Sequence, residues 1–187
     1  MPKVVDHTER RRELAEAVWR VIARDGVADV SIRTVAAESG WSSGALRHYF
    51  ATRDELLAFA CEQVIDRASE RIRELDPPGT VREQIGAVLA QTVPLDAERH
   101  TEASIMFSFL TLGLGDPALA RVQRLHFTAM YELCLHLVRQ LVTTGPEAAA
   151  RRLHAVVDGL TVHVLAGHLS PEVAGAELDA YLDELAG

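Results

Sequence analysis

Between Gly26 and Leu57 the sequence reads GVADVSIRTVAAESGWSSGALRHYFATRDELL, and its polar residues are types that bind phosphate. Ser42, Ser43 and Gly44 open a short segment that continues as Ala45-Leu46-Arg47-His48. Hydroxyls and backbone N–H groups at such a helix start favour an anion through unpaired donors and the helix dipole. Ser31, Arg33 and Thr34 stand on the preceding short segment, and Arg47, His48, Tyr49, Thr52 and Arg53 follow. Cations mixed with hydroxyl donors suit the phosphate oxygens of a nucleic acid. Gly40 supplies a turn between the two segments, which makes the pair a helix-turn-helix. In that arrangement the second helix reads base edges with its N-terminal residues. Trp41 fits as an apolar anchor of the turn, and Arg10-Arg11-Arg12 as a solvated helix face.

Other chemistries find little support. No nucleophile–base set, phosphate-cradling glycine loop or zinc spacing is present, so an enzyme is not expected. The eight histidines include His126, His136, His154, His163 and His168, but no two of them stand at i,i+4 with a carboxylate companion, and neither metal nor cofactor is expected. Cys61 and Cys134 lie far apart without a CxxC partner, which fits a reducing cytoplasm. The first residues lack the apolar core of a secretory signal. The most apolar run, Ile105 to Leu114, is too short to span a bilayer, so no membrane partner is expected.

The elements that must position these residues all read with helical period. Leu14, Val18, Val21 and Ile22 form one stripe, stopped at Asp25-Gly26. Thr52 to Glu55 and Thr80 to Glu83 have capping-box spacing, and between them Pro77-Pro78-Gly79 ends a helix near Leu75. Pro94, Asp116-Pro117, Thr144-Gly145-Pro146 and Ser170-Pro171 punctuate the remainder. The sum is an all-α chain of about nine helices. A helix-turn-helix unit is expected over 1–52 and a larger helical unit over 53–187.

The charge divides in the same way. The formal net charge of -8 would disfavour a nucleic-acid partner, but up to Arg53 nine basic residues face seven acidic ones. That stretch is mildly basic, and the remainder carries the acidity.

Within the larger unit the helix expected from Glu147 to His168 is apolar almost all round, which requires burial on more than one side. With the striped final helix it reads as a self-association surface made of His154, Val157, Leu160, Thr161, Val164, Leu178, Tyr181 and Leu182. Two preceding helices gather Met106, Phe109 and Leu110, then His126, Phe127, Met130, Tyr131 and Cys134. Such a set can line a pocket for a small ligand, Met supplying adaptable volume and His or Tyr the polar contacts.

Gly26, Ser31, Val35-Ala36, Gly40, Ser42, Leu46, Phe50, Arg53 and Leu56-Leu57 resemble the N-terminal signature of the TetR (tetracycline-repressor-type) family of transcriptional regulators. Gly44 to Phe50 and Arg152 to Leu160 resemble the branch of choline-responsive osmoregulatory repressors. The resemblance implies a three-helix DNA-binding domain, a variable effector-binding and dimerising domain, and a homodimer on a palindromic double-stranded DNA operator. It also implies release by a small-molecule effector. It aligns Arg33, Ser43 and Gly44 with base-proximal positions, and Arg47, His48, Tyr49 and Arg53 with backbone-contacting ones. Arg47 and Arg53 depart from the family's frequent Tyr and Lys, so the operator sequence does not carry over. The pocket helices contain no Trp, which argues against an aromatic cage for choline.

Overall fold

A computed structural model describes residues 7–113 and 117–187, and among them every regular element is helical. The helices are α1 His7–Asp25, α2 Ile32–Ser39, α3 Ser43–Arg47, α4 Arg53–Glu74, α5 Val81–Leu89, α6 Ala97–Gly113, α7 Pro117–Val138, α8 Pro146–Leu165 and α9 Pro171–Ala186. A 3-10 turn, Val27–Asp29, joins α1 to α2.

Side-chain caps set many of the starts. Ser31 and Thr34 form a full capping box on α2, as do Thr80 and Glu83 on α5. Ser42, Thr52 and Ser170 each accept one backbone N–H of the helix they precede. Each such cap contributes about 1 kcal/mol. At Thr52 the expected box is altered: Glu55 takes the N–H of Ala51 at 2.7 Å. Gly40, at φ 74°, supplies the left-handed conformation that turns α2 into α3. The expected start at Asp116 lies outside the described residues.

Two apolar clusters organise the chain. The first joins Leu14, Val18, Val21, Val35, Ala36, Leu46 and Phe50 to Leu56, Leu57, Phe59 and Val64 of α4 and to Ile105 and Phe109 of α6. It runs straight through the expected boundary at 52/53. The second joins Ile85, Leu89 and Val93 to Cys134, Leu137 and Val138 of α7, Leu153 and Val157 of α8, and Leu178 and Leu182 of α9. Gln123 of α7 donates to the carbonyls of Phe109 and Leu110, tying α7 to the end of α6.

The residues expected at the self-association surface are largely used within the chain itself. His154, Val157, Thr161, Val164, Leu178 and Leu182 are buried inside this chain, and Leu160 and Tyr181 are half-buried against the second cluster. Only one of the two apolar stripes of α8 faces outward, and it is the other one. Ala155, Val162 and Ala166 are exposed there, and a Cβ added at Gly159 would meet nothing within 4 Å. α8 also ends sooner than expected, at Leu165, because Gly167 at φ 68° reverses the chain while the N–H groups of His168 and Leu169 turn back to the His163 carbonyl.

Candidate nucleic-acid interface and ligand cavity

In the head formed by α1, α2 and α3, Leu46 and Phe50 are buried and fix α3 against Val35 and Ala36. Arg33, Ser42, Ser43, Gly44, Arg47, His48 and Thr52 are left exposed. The Ser31 and Thr34 hydroxyls are engaged in the capping box, and Thr34 also donates to the Asp29 carbonyl at 2.8 Å. Ser42 caps α3 by accepting from Ala45 N–H at 3.1 Å, and Thr52 caps α4. Beside Gly44 an added Cβ would meet only Ser42 Oγ, at 3.9 Å, so the chain itself does not require a glycine there. The space in front of it is open to an approaching surface.

The basic residues of the head divide by task. Arg20 and Arg24 both hold Glu38, at 2.7 Å each, clamping α1 to α2. Hydrogen bonds from Arg24 and then Arg20 hold the Glu38 carboxyl below its ordinary range. Arg12 pairs with Glu16, and the side chain of Arg11 lies outside the described residues. Arg53 is turned inward: Nε donates to the Val30 carbonyl and Nη2 to the Val27 carbonyl, both at 2.9 Å. It fastens α4 to the 3-10 turn. Arg33 and Arg47 are the exposed cations near α3, among the described residues. Trp41 is half-buried, with the Arg10 guanidinium 5.3 Å over its ring and Tyr49 edge-on at 5.5 Å. The anchor of the turn therefore also brings the N-terminal Arg10 beside α3.

A cavity of about 410 Å³ lies between the two apolar clusters. α4 contributes Val64, Ile65, Ala68, Ser69, Ile72 and Arg73; α6 contributes Arg99, Glu102, Ala103, Met106 and Phe107. α7 adds His126, Ala129, Met130 and Leu133, and α8 adds Val157, Asp158 and Thr161, with Gln91 and Thr92 at one end. Of the residues the sequence proposed for a pocket, Met106, His126 and Met130 line it. Leu110 and Phe127, with Phe109, border only a small annex of about 20 Å³ beside it. Tyr131 and Cys134 do not line it and pack into the second cluster instead.

The sequence did not point to the α4 wall, Glu102 or Asp158, and it placed Thr161 on the self-association surface. The signal available for the two acids was a carboxylate set inside an apolar stripe. Glu102 is buried and takes two hydrogen bonds from Arg71, at 2.7 and 2.6 Å. Asp158 has His154 Nε2 at 3.5 Å, beyond hydrogen-bond geometry for that atom. Burial pushes the Asp158 carboxyl up, His154 opposing. Burial, then the nearby His154, pulls His126 down to about 4, so it stays neutral at physiological pH. Burial raises the Cys134 thiol to about 12 and Cys61 further still, which leaves both unreactive.

Comparison with known proteins agrees with this layout. Residues 14–59 match the family described as bacterial regulatory proteins of the tetR family, and residues 81–187 match the BetI-type transcriptional repressor C-terminal family. The HTH-type transcriptional regulator PksA of Bacillus subtilis (strain 168) is 36% identical over 88% of this chain and 83% of its own length. A transcriptional regulator of Rhodococcus sp. Rha1 (RHA1_ro04179) has a solved structure with TM-score 0.84 and 30% identity, over 94% of this chain and 95% of that one. A regulator of Saccharomonospora viridis solved in complex with choline superposes with TM-score 0.79 over 94% of this chain and 96% of its own, and at 22% identity the likeness is one of fold. With a tetR-type head and a BetI-type body in one chain, this protein belongs to the TetR family of transcriptional regulators.

Proposed function

We propose that the chain works as a homodimer that represses transcription from a palindromic operator and lets go when a small molecule fills the cavity. In this reading it is a cytoplasmic regulator and carries out no catalysis. Ser43 and Gly44 meet base edges, Arg33 lies beside them, and Arg47, His48 and Tyr49 hold phosphates. Ser31, Ser42, Thr52 and Arg53 serve by shaping the head. The division at 52/53 is then one of labour and not of folding.

The observation that carries the reading is shared packing. Val64 and Met106 line the cavity and also belong to, or pack against, the cluster that holds the head. A ligand that displaces them acts on the support of α1 and α3. Control needs only that the ligand favour one head spacing over another. For dimerisation the support is the outward stripe of α8, where Ala155, Gly159, Val162 and Ala166 permit close approach of a second helix, with Val162 45% and Val173 44% exposed. Two copies of the head would place half-sites about 34–36 Å apart, or a multiple of that.

The test is binding of the full-length protein to its own upstream DNA, followed by fluorescence anisotropy against salt. Specific retention that weakens as salt rises supports the reading. A folded dimer with no sequence preference at low salt would refute it.

A further inference from the structure

The cavity holds two carboxylates in different states. Glu102 is neutralised by the two-pronged contact from Arg71. Arg99, also on the wall, is held by Asp96 and by the Ala90 carbonyl. Among the described residues Asp158 has no comparable partner. The titratable groups facing it are His126 and Cys134 of α7 and His154 of its own helix, and His154 makes no hydrogen bond to it. A carboxylate partly withdrawn from water without a hydrogen-bonded cation carries a cost, and a bound cation reduces it.

The form of the cation follows from what surrounds it. A quaternary ammonium is recognised by several aromatic faces around its methyl groups. Phe107 is the one aromatic ring of Phe, Tyr or Trp type on the wall of the main cavity among the described residues. Phe109 and Phe127 join Phe107 and Asp158 only around the annex, whose roughly 20 Å³ is room for about one water molecule. Asp158 borders both spaces, so an ammonium seated in the main cavity can point an N–H at its carboxylate, a contact that a quaternary ion cannot make. Ile65, Ala68 and Ile72 of α4, with Met130 of α7, give the main cavity apolar surface that suits a hydrocarbon body. We propose that the cavity takes a hydrophobic amine that keeps at least one N–H when protonated, its ammonium bound to Asp158. This rests on reading the cavity as the effector site.

The experiment is isothermal titration of the full-length protein with 4-phenylbutyldimethylamine and with its quaternary counterpart, 4-phenylbutyltrimethylammonium. The two share body and charge and differ in the N–H. The tertiary amine should bind about ten-fold or more tightly, the size expected for one hydrogen bond to a charged group. Asp158→Asn should remove that preference, and Asp158→Glu should retain part of it. Equal binding, tighter binding of the quaternary ion, no binding of either, or an unchanged preference in Asp158→Asn would overturn the proposal. Should Asp158→Asn fail to fold, the comparison of the two ligands on the unaltered protein still decides. Operator binding by the same preparation is measured separately, without ligand. Its failure would strike the regulator reading, while amine selectivity would stand or fall on the titration.

Discussion

Arg53 offers the sharpest separation between a residue that touches DNA and one that shapes the surface touching it. Its Nε and Nη2 reach the carbonyls of Val30 and Val27 at 2.9 Å each, closing the 3-10 turn onto the start of α4. In Arg53→Lys the charge stays, but a single ammonium cannot reproduce the forked contact. A hydrogen bond from a charged donor contributes about 1.5–3 kcal/mol. Removing one of two, with some solvent access, should therefore cost about 1.5–2 kcal/mol. For a chain of this size that lowers Tm by about 3–8 °C. The assay is thermal unfolding by circular dichroism beside anisotropy titrations on operator DNA across salt. With Arg53 as a strut, the stability falls, while the slope of log K against log salt stays unchanged, because the phosphates keep all their cations. A Lys variant of unaltered Tm would refute the reasoning. So would an Arg53→Ala variant whose salt slope drops by about 0.9, the amount that one neutralised phosphate contributes.

Arg47→Ala should weaken binding to all DNA and reduce the salt slope, whereas Ser43→Ala should alter the ranking of operator variants; competition titrations over a set of operators separate the two. Val162→Glu places a charge on the exposed stripe of α8 and should give folded monomers by sedimentation, while Leu153→Ala, fully buried, should cost about 2–5 kcal/mol in urea unfolding. Asp158→Asn should raise the Tm of the ligand-free protein at neutral pH. Because burial raises the folded-state pKa of Asp158, its carboxylate opposes folding above that pKa and has no effect below the unfolded value of about 3.9. The gain should therefore shrink as pH falls and vanish below about pH 4, as scanning calorimetry would record. A gain independent of pH would point to packing instead.

What the sequence reveals and what it hides separate along physical lines. Caps and breaks are local, so Thr80-Glu83, Ser170-Pro171 and Pro77-Pro78-Gly79 place their helix ends without knowledge of the fold. The exposed polar residues at the start of α3 are legible for the same reason, since an amphipathic segment of five residues has only one way to bury Leu46. α8 is different. Its apolar residues form two stripes, Leu153, Val157 and Val164 on one side and Val162 with small residues on the other. Periodicity says that both are apolar and not which one meets the rest of the chain. The larger side chains belong to the interior stripe, and the outward stripe is rich in Ala and Gly. The partner of Arg53 is hidden too, because backbone carbonyls 23 and 26 residues away carry no sequence signal. The cavity is half legible. Met and His mark its α6 and α7 walls, but the α4 wall of Ile65, Ala68 and Ile72 looks like any helix stripe until a gap opens beside it.

α6 is where head and cavity share one piece of backbone. Ile105 and Phe109, four residues apart, lie on one face and are buried in the cluster that supports α1 and α3. Ala103, Met106 and Phe107 line the cavity from the neighbouring face. Successive residues of an α-helix are about 100° apart, so Phe109 and Met106 are separated by roughly 60° around the axis. A small rotation of α6 cannot move one without the other. The end of the same helix is tied to α7 by Gln123, and its middle is tied to α4 by Arg71 on Glu102. A ligand at Asp158 therefore presses on a helix held at both walls, where packing permits a few discrete positions and not a continuous drift. Under this geometry, ligands that bind without displacing Met106 should leave operator affinity unchanged however tightly they bind, because they do not distinguish the two head positions.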